Sequence, residues 1–253
     1  MDVNSDMGES FGNWVMGNDA ALFTFVTTAN VACGFHAGDP VTLVRTVRLA
    51  KQNGVVVGAH PGLPDLLGFG RRTMKISAED AYAYVVYQVG ALQATLATEG
   101  MRLHHVKPHG AFYSVLKTDE ELAEAVAEAI TQLSPDPMLY WPAPTDSALP
   151  RAVRKRGGRV VGEIYVDLEY APDGSLVIQR TKHSTDVAKV IAQVQSYVDT
   201  GKVLAQDGTA ISLDAESICV HGDGPNALDV ARAVRRTLEE AGCLTGPVVP
   251  RAA

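Results

Sequence analysis

Seven short apolar runs in this chain each end in polar residues capable of chemistry. In order, the run ends are Val3-Asn4-Ser5-Asp6, Asn30-Val31-Ala32-Cys33-Gly34-Phe35-His36 and Val55-Val56-Val57-Gly58-Ala59-His60. They continue with Val106-Lys107-Pro108-His109-Gly110, Leu139-Tyr140-Trp141-Pro142, Val160-Val161-Gly162-Glu163 and Ile218-Cys219-Val220-His221-Gly222-Asp223. Most are followed by a stretch with helical signals. Strand, polar end and helix in repetition is the grammar of parallel strands whose carboxyl ends converge on one site. The pattern predicts an α/β barrel or an open α/β sheet, with an enzyme's active site at one end.

The punctuation between the runs agrees. Asp39-Pro40 reads as a cap with proline at the first helical position, and Gly54 closes that helix. Ser77-Ala78-Glu79-Asp80 resembles a capping box opening a helix that runs to about Gly100. Thr118 to Glu121 opens another, with Leu122, Val126, Ile130 and Leu133 as its apolar stripe. Asp146 opens a shorter helix ending at Gly157-Gly158, Ser184 caps one ending near Gly201, and Pro225 starts a last one ending at Gly242. Residues 169–178 and 203–213 read as hairpins around Pro172-Asp173-Gly174 and Asp207-Gly208. With no long linker, repeat or low-complexity tract, residues 1–253 read as one domain.

At 253 residues the chain matches the usual size of a single α/β barrel, about 250 residues. Its net charge of -7 and lack of a basic stripe argue against nucleic acid as a partner. Arg151, Arg154, Lys155, Arg156 and Arg159 read as a solvated helix end. No apolar run approaches the ~20 residues of a membrane helix. The three cysteines, Cys33, Cys219 and Cys243, form no CxxC pair, and no leader pattern precedes the first strand, so a cytoplasmic location is expected. Cys33 and Cys219 follow apolar runs and read as small buried hydrophobes.

Asn4 and Asp6 share one side of their strand, because side chains alternate with a period of two. Asp6 alone could simply cap the turn before Gly8, and Glu9 lies just beyond. Any one histidine is commonly a hydrogen-bonded structural residue. Four of them, His36, His60, His109 and His221, at corresponding strand ends beside Asp6 and Glu163 point instead to a site. Imidazoles and carboxylates suit a divalent metal, with Asp6, His60 and His109 as candidate ligands, and suit metal-free acid–base catalysis equally. No compact ligand motif such as HExxH is present. A lysine ending a buried strand, Lys107, is costly unless paired. It could meet a substrate anion or an oxyanion, or form a salt bridge to Glu163 or Asp6. Gly68-Phe69-Gly70-Arg71-Arg72 could wrap an anion or be a plain surface loop. Neither GxxxxGK[ST] nor GxGxxG after a strand occurs, so the chain lacks the usual equipment for holding ATP or NAD alone.

The same residues carry a resemblance. Asn4-Ser5-Asp6-Met7-Gly8-Glu9, Ala29 to Asp39, Gly58-Ala59-His60-Pro61-Gly62, Gly68 to Arg72, Tyr87 to Leu92, His105 to Ala111 and Cys219 to Asp223 resemble the LamB/YcsF family over nearly the whole chain. The resemblance implies a distorted seven-stranded TIM-like barrel of the glycoside hydrolase/deacetylase type. It also implies ring opening of 5-oxo-L-proline to L-glutamate, coupled to ATP hydrolysis with two partner subunits, B and C. ATP would then act through the partners, and a divalent metal remains a candidate cofactor. On this reading Asp6 or Glu163 serves as general base, and His60 and His109 as base, metal ligands or intermediate binders. Lys107 would meet a carboxylate or phosphate. Asn4, Asn30, His36, Arg71, Arg72, His221 and Asp223 would bind the lactam or its anionic groups. The chain departs from the family pattern at Leu168, where an Arg is usual, and around Arg180-Thr181-Lys182-His183, a loop placed to shape a substrate pocket. Two rival readings are a stand-alone metal-dependent amide hydrolase or deacetylase, and a non-catalytic scaffold subunit.

Overall fold

Seven parallel strands close into a barrel: β1 (Asp2–Met7), β2 (Thr28–Ala32), β3 (Val56–His60), β4 (Leu103–Val106), β5 (Met138–Pro142), β6 (Arg159–Tyr165) and β11 (Ser217–Cys219). β11 pairs with both β6 and β1 and completes the ring. The protein is described here from a computed structural model covering residues 1–177 and 183–249. The strand-end pattern in the sequence therefore marks the strands of one barrel. The two expected hairpins are β7 (Glu169–Tyr170) with β8 (Leu176–Val177), and β9 (Lys202–Leu204) with β10 (Ala210–Ser212). Both decorate the connection from β6 to β11. Of the departing stretch, Arg180, Thr181 and Lys182 lie outside the described residues.

The barrel sorts side chains by parity. Along β1, Val3 and Met7 face outward into the apolar core, while Asp2, Asn4 and Asp6 face inward, as a period of two requires. Val31, Val57, Ala59, Leu139, Trp141, Ile164 and Ile218 fill the layer between sheet and helices. The interior is polar. At its amino-terminal end the buried Asp2 carboxylate accepts hydrogen bonds from Tyr140 (2.9 Å), Ser217 (2.8 Å), Thr28 (2.8 Å) and Thr27. Four hydroxyl donors replace the water it loses on burial.

Helix boundaries follow local chemistry, sometimes one or two residues from where the sequence suggests. After the short α1 (Asp19–Leu22), α2 (Pro40–Asn53) is capped by Asp39, which accepts from Val41 and Thr42 N–H, and ends at left-handed Gly54. The Ser77–Asp80 capping box opens α3 (Ala78–Thr98). The sequence reading missed α4 (Gly110–Thr118). Because Thr118 belongs to it, Asp119 rather than Thr118 caps α5 (Glu120–Leu133). Likewise α6 (Ala148–Lys155) starts after Ser147, α7 (Val187–Thr200) is capped by Asp186 rather than Ser184, and α8 (Ala227–Glu240) follows Asn226. The basic residues at the end of α6 are not merely solvated. Lys155 and Arg156 reach Glu124 of α5, and Arg159 reaches Glu216.

Gly58 on β3 faces into the barrel, and a Cβ there would fall within the His105 ring. Overpacking predicts that Gly58→Ala costs about 1–3 kcal/mol of stability. Gly90, inside α3, has open space around its Cα. There Gly90→Ala should stabilise by about 0.4–1 kcal/mol by restricting the unfolded chain. Urea denaturation of the two variants checks both signs.

Candidate active site

At the carboxyl end of the barrel, Lys107 is enclosed by acceptors. The β4 strand ends at Val106, and Lys107 N–H still bonds to Ala59 O (2.8 Å), which points the side chain inward. Its Nζ lies 3.2 Å from Asp6 Oδ1, 3.1 Å from Glu163 Oε2, 3.3 Å from Asn4 Oδ1 and 3.1 Å from Cys219 Sγ. Burial disfavours the ammonium, but Asp6, Cys219 and Glu163 outweigh it and hold the Lys107 pKa well above its usual value. The sequence left open a salt bridge to Asp6 or to Glu163; the lysine bridges both.

Glu163 is fully buried and fully engaged. Oε2 accepts from Asn4 Nδ2 (3.0 Å) and Lys107, and Oε1 accepts the Tyr165 hydroxyl. Asp6 differs. Its Oδ1 accepts from Asn30 Nδ2 (2.8 Å) and Lys107, while Oδ2 faces His60 Nε2 at 3.5 Å. Burial pushes the Asp6 carboxyl up, but the Lys107 ammonium and the Asn30 amide hold it well below the usual range. The amides of Asn4 and Asn30 are spent on this interior network. Asn30 donates to Asn4 Oδ1 (2.7 Å) as well as to Asp6, and its oxygen accepts from His105 Nε2 (2.6 Å).

A second layer of the site is built by histidines. His109 ends the segment after β4 as N-cap of α4, anchored by its N–H to Pro61 O (2.9 Å). Its Nε2 bonds to Phe69 O (2.8 Å) and its Nδ1 lies 3.0 Å from His60 Nε2. His60, at the end of β3, bonds through Nδ1 to Lys107 O (2.6 Å). His36 stacks on His109 with ring centroids 3.8 Å apart and an interplanar angle of 6°. Its Nε2 lies 3.6 Å from Glu9 Oε1, and neither of its ring nitrogens has a hydrogen-bond partner. Gly70 allows this packing: its φ is +62°, and a Cβ would come within 2.6 Å of His36 Cβ and 2.8 Å of His109 Cδ2. Burial pulls His60 down to about 3 and His36 and His109 well below the imidazole range.

The remaining candidates lie around this centre. His221 donates its backbone N–H and directs Nδ1 to Asp167 (2.9 and 3.0 Å), with its ring stacked on Tyr165. Arg71 lies over Phe69 and pairs with Asp223 at 3.2 Å. Arg72 is not part of the centre. Its guanidinium binds Asp65 in the same loop, and its side chain is 66% exposed. Leu168 is buried against Tyr165 and Cys219, so apolar surface stands where the family pattern carries a guanidinium. Tyr165, Cys219, His105 and Asp167 were not among the candidate site residues, and Cys219, read as a small buried hydrophobe, also accepts from Lys107. Inward parity on β6, β11 and β4 was the available signal for the first three.

Among the described residues, two groups have metal-ligating composition. Glu9, His36, His60 and His109 each place one ligand atom within 4.8 Å of the others, as do Asp6, Cys219 and His221. Burial drives the Cys219 thiol well above its usual pKa, and a protonated thiol is a poor ligand, so the histidine group fits a cation better. Asp6, named beside His60 and His109 as a candidate ligand, has one oxygen committed to Lys107 and Asn30, while Glu9 falls within the histidine group.

Fold and site together define an α/β barrel with a buried carboxylate–lysine–histidine centre at the carboxyl end of its strands. The chain belongs to the LamB/YcsF family, whose model matches residues 1–252. It is 48% identical over 244 residues to the 5-oxoprolinase A subunit of Bordetella pertussis, covering 96% of each chain. It is 47% identical over 250 residues to that of Thermococcus onnurineus, covering 98% of this chain and 97% of the relative. The crystal structure of the lactam utilization protein from Thermus thermophilus superposes with a TM-score of 0.87 at 44% identity, covering 95% of this chain and 96% of the other. Among the described residues no helix is long and apolar enough to cross a membrane.

Lys107→Met would leave Asp6 and Glu163 buried without a counter-charge, at an expected cost of about 3–5 kcal/mol. Lys107→Met combined with Glu163→Gln should recover part of that loss. Chemical denaturation of the single and double variants measures the coupling.

Proposed function

We propose that this chain is the A component of an ATP-dependent 5-oxoprolinase, opening the lactam ring of 5-oxo-L-proline to L-glutamate together with B and C partner subunits. Supporting this reading is the buried Asp6–Lys107–Glu163 centre with its adjoining histidines, in a chain whose full-length relatives bear that name. ATP enters through the partners, because the sequence contains no phosphate-binding loop of the usual kinds. Residues 1–253 act as one barrel domain. A cytoplasmic location accords with three free cysteines.

A lactam is a poor electrophile. Phosphorylation of its oxygen supplies a leaving group and makes the ring carbon easier to attack by water. The base for that water is Asp6 rather than Glu163. Glu163 is saturated by Tyr165, Lys107 and Asn4, whereas Asp6 keeps Oδ2 on the side away from Lys107. Glu163 and Tyr165 instead hold Lys107, which holds Asp6 ionised. When the ring C–N bond breaks, the departing nitrogen takes a proton, for which His221, oriented by Asp167, is the candidate donor, and the acyl phosphate left behind is hydrolysed by a second water to glutamate and inorganic phosphate. Arg71 with its Asp223 partner forms the anion-facing rim. The metal-dependent amide hydrolase reading keeps one supporting observation, the Glu9–His36–His60–His109 group. ATP dependence separates the two.

Glutamate release from 5-oxoproline by the chain with its partners should require ATP, and Asp6→Asn should lower turnover by about 100-fold or more. The chain alone should neither hydrolyse ATP nor release glutamate. ATP-independent release, or strong ATPase activity from the single chain, would contradict the assignment.

A further inference from the structure

The contact between His60 and His109 cannot be an ordinary hydrogen bond between neutral rings. A carbonyl oxygen only accepts, so His60 carries its proton on Nδ1, toward Lys107 O, and His109 carries its proton on Nε2, toward Phe69 O. That leaves His60 Nε2 and His109 Nδ1 as bare lone pairs 3.0 Å apart. Asp6 Oδ2 adds a third electron-rich atom 3.5 Å from His60 Nε2. A cation held among these three atoms would relieve the repulsion. Charge points the same way. The interior sets one ammonium, Lys107, against the carboxylates of Asp6 and Glu163, with the Glu9 carboxyl close by.

We propose that His60 Nε2, His109 Nδ1 and the Glu9 carboxylate hold one divalent transition-metal ion, with His36 as the residue that positions His109 and Glu9. The reading does not rest on the 5-oxoprolinase assignment. Each ligand ring donates its far N–H to a backbone carbonyl oxygen, the outer arrangement that fixes metal-binding histidines. Two nitrogens 3.0 Å apart, each about 2.0–2.1 Å from a zinc-like ion, subtend roughly 95° at it, within the range of common geometries. Nitrogen with carboxylate favours zinc, iron or their neighbours over magnesium or calcium. His36 is not itself a ligand in this arrangement. Its ring lies parallel to His109 at 3.8 Å, so one ion cannot lie in the plane of both. Bound there, the ion would supply a Lewis acid beside Asp6.

Metal uptake can be read without lactam, ATP or partners, so its failure would leave the proposed activity standing. The full chain, stripped with a chelator, is titrated with Co2+ and then with Zn2+ in competition. The expected result is about one ion per chain, with visible ligand-field bands that Zn2+ abolishes. His60→Gln and His109→Gln should each weaken uptake by more than about 100-fold, the upper end of what losing an outer-shell partner costs. Glu9→Gln should weaken it as well, and Asp6→Asn should keep the wild-type bands. Wild-type chain that develops no bands in excess Co2+ overturns the proposal, whatever the variants' folding. So do bands that survive in a folded His60→Gln/His109→Gln double variant. Loss with Asp6→Asn but not with Glu9→Gln overturns the ligand set.

Discussion

One buried lysine organises this protein's interior. Lys107 joins β4 to β1 and β6 through two carboxylates, and it can do so only because both are themselves hydrogen-bonded. Taking three charges out of water is expensive, and geometry of this quality is what makes it tolerable. Every neighbouring choice follows from that requirement. Asn4 and Asn30 are amides because each must donate to a carboxylate and also accept, from Lys107 and from His105 respectively. Tyr165 supplies a hydroxyl to the remaining Glu163 oxygen.

Stability and function divide along the sheet. The outward-facing residues of the strands and the helices around them form a continuous apolar layer. The inward-facing residues form a polar column running from Asp2 and its hydroxyls, through Asn4 and His105, to Asp6 and the histidines. Such a column contributes little hydrophobic free energy. What it does is hold a few polar groups in fixed positions through mutual hydrogen bonds.

Much of the fold was legible because parity and chain order carry it. Strand alternation is local, and so are the caps at Asp39, Ser77 and Gly54. The shifted helix starts at Asp119 and Asp186 are cases where two adequate caps lie close together. Which one is used depends on where the preceding segment ends. The site was legible in part for the same reason. Asp6, His60, Lys107, His109 and Glu163 stand at or just beyond strand ends, so a barrel gathers them. Arg72 stood beside Arg71 in sequence, yet it turns to Asp65 instead of the centre, because a loop's side-chain directions obey no period.

The sequence by itself determined the strands, their order along the chain and the inventory of polar groups at their ends, since these depend on residue type and spacing. Tertiary structure alone decided what each group is free to do. Asp6 and Glu163 are equivalent carboxyl-bearing strand ends in the sequence. Only the closed barrel saturates one with Tyr165, Asn4 and Lys107 and leaves the other facing His60. The same holds for the histidines: their tautomers are set by the carbonyls of Lys107 and Phe69, contacts that exist only once β3, β4 and the glycine-rich loop have met.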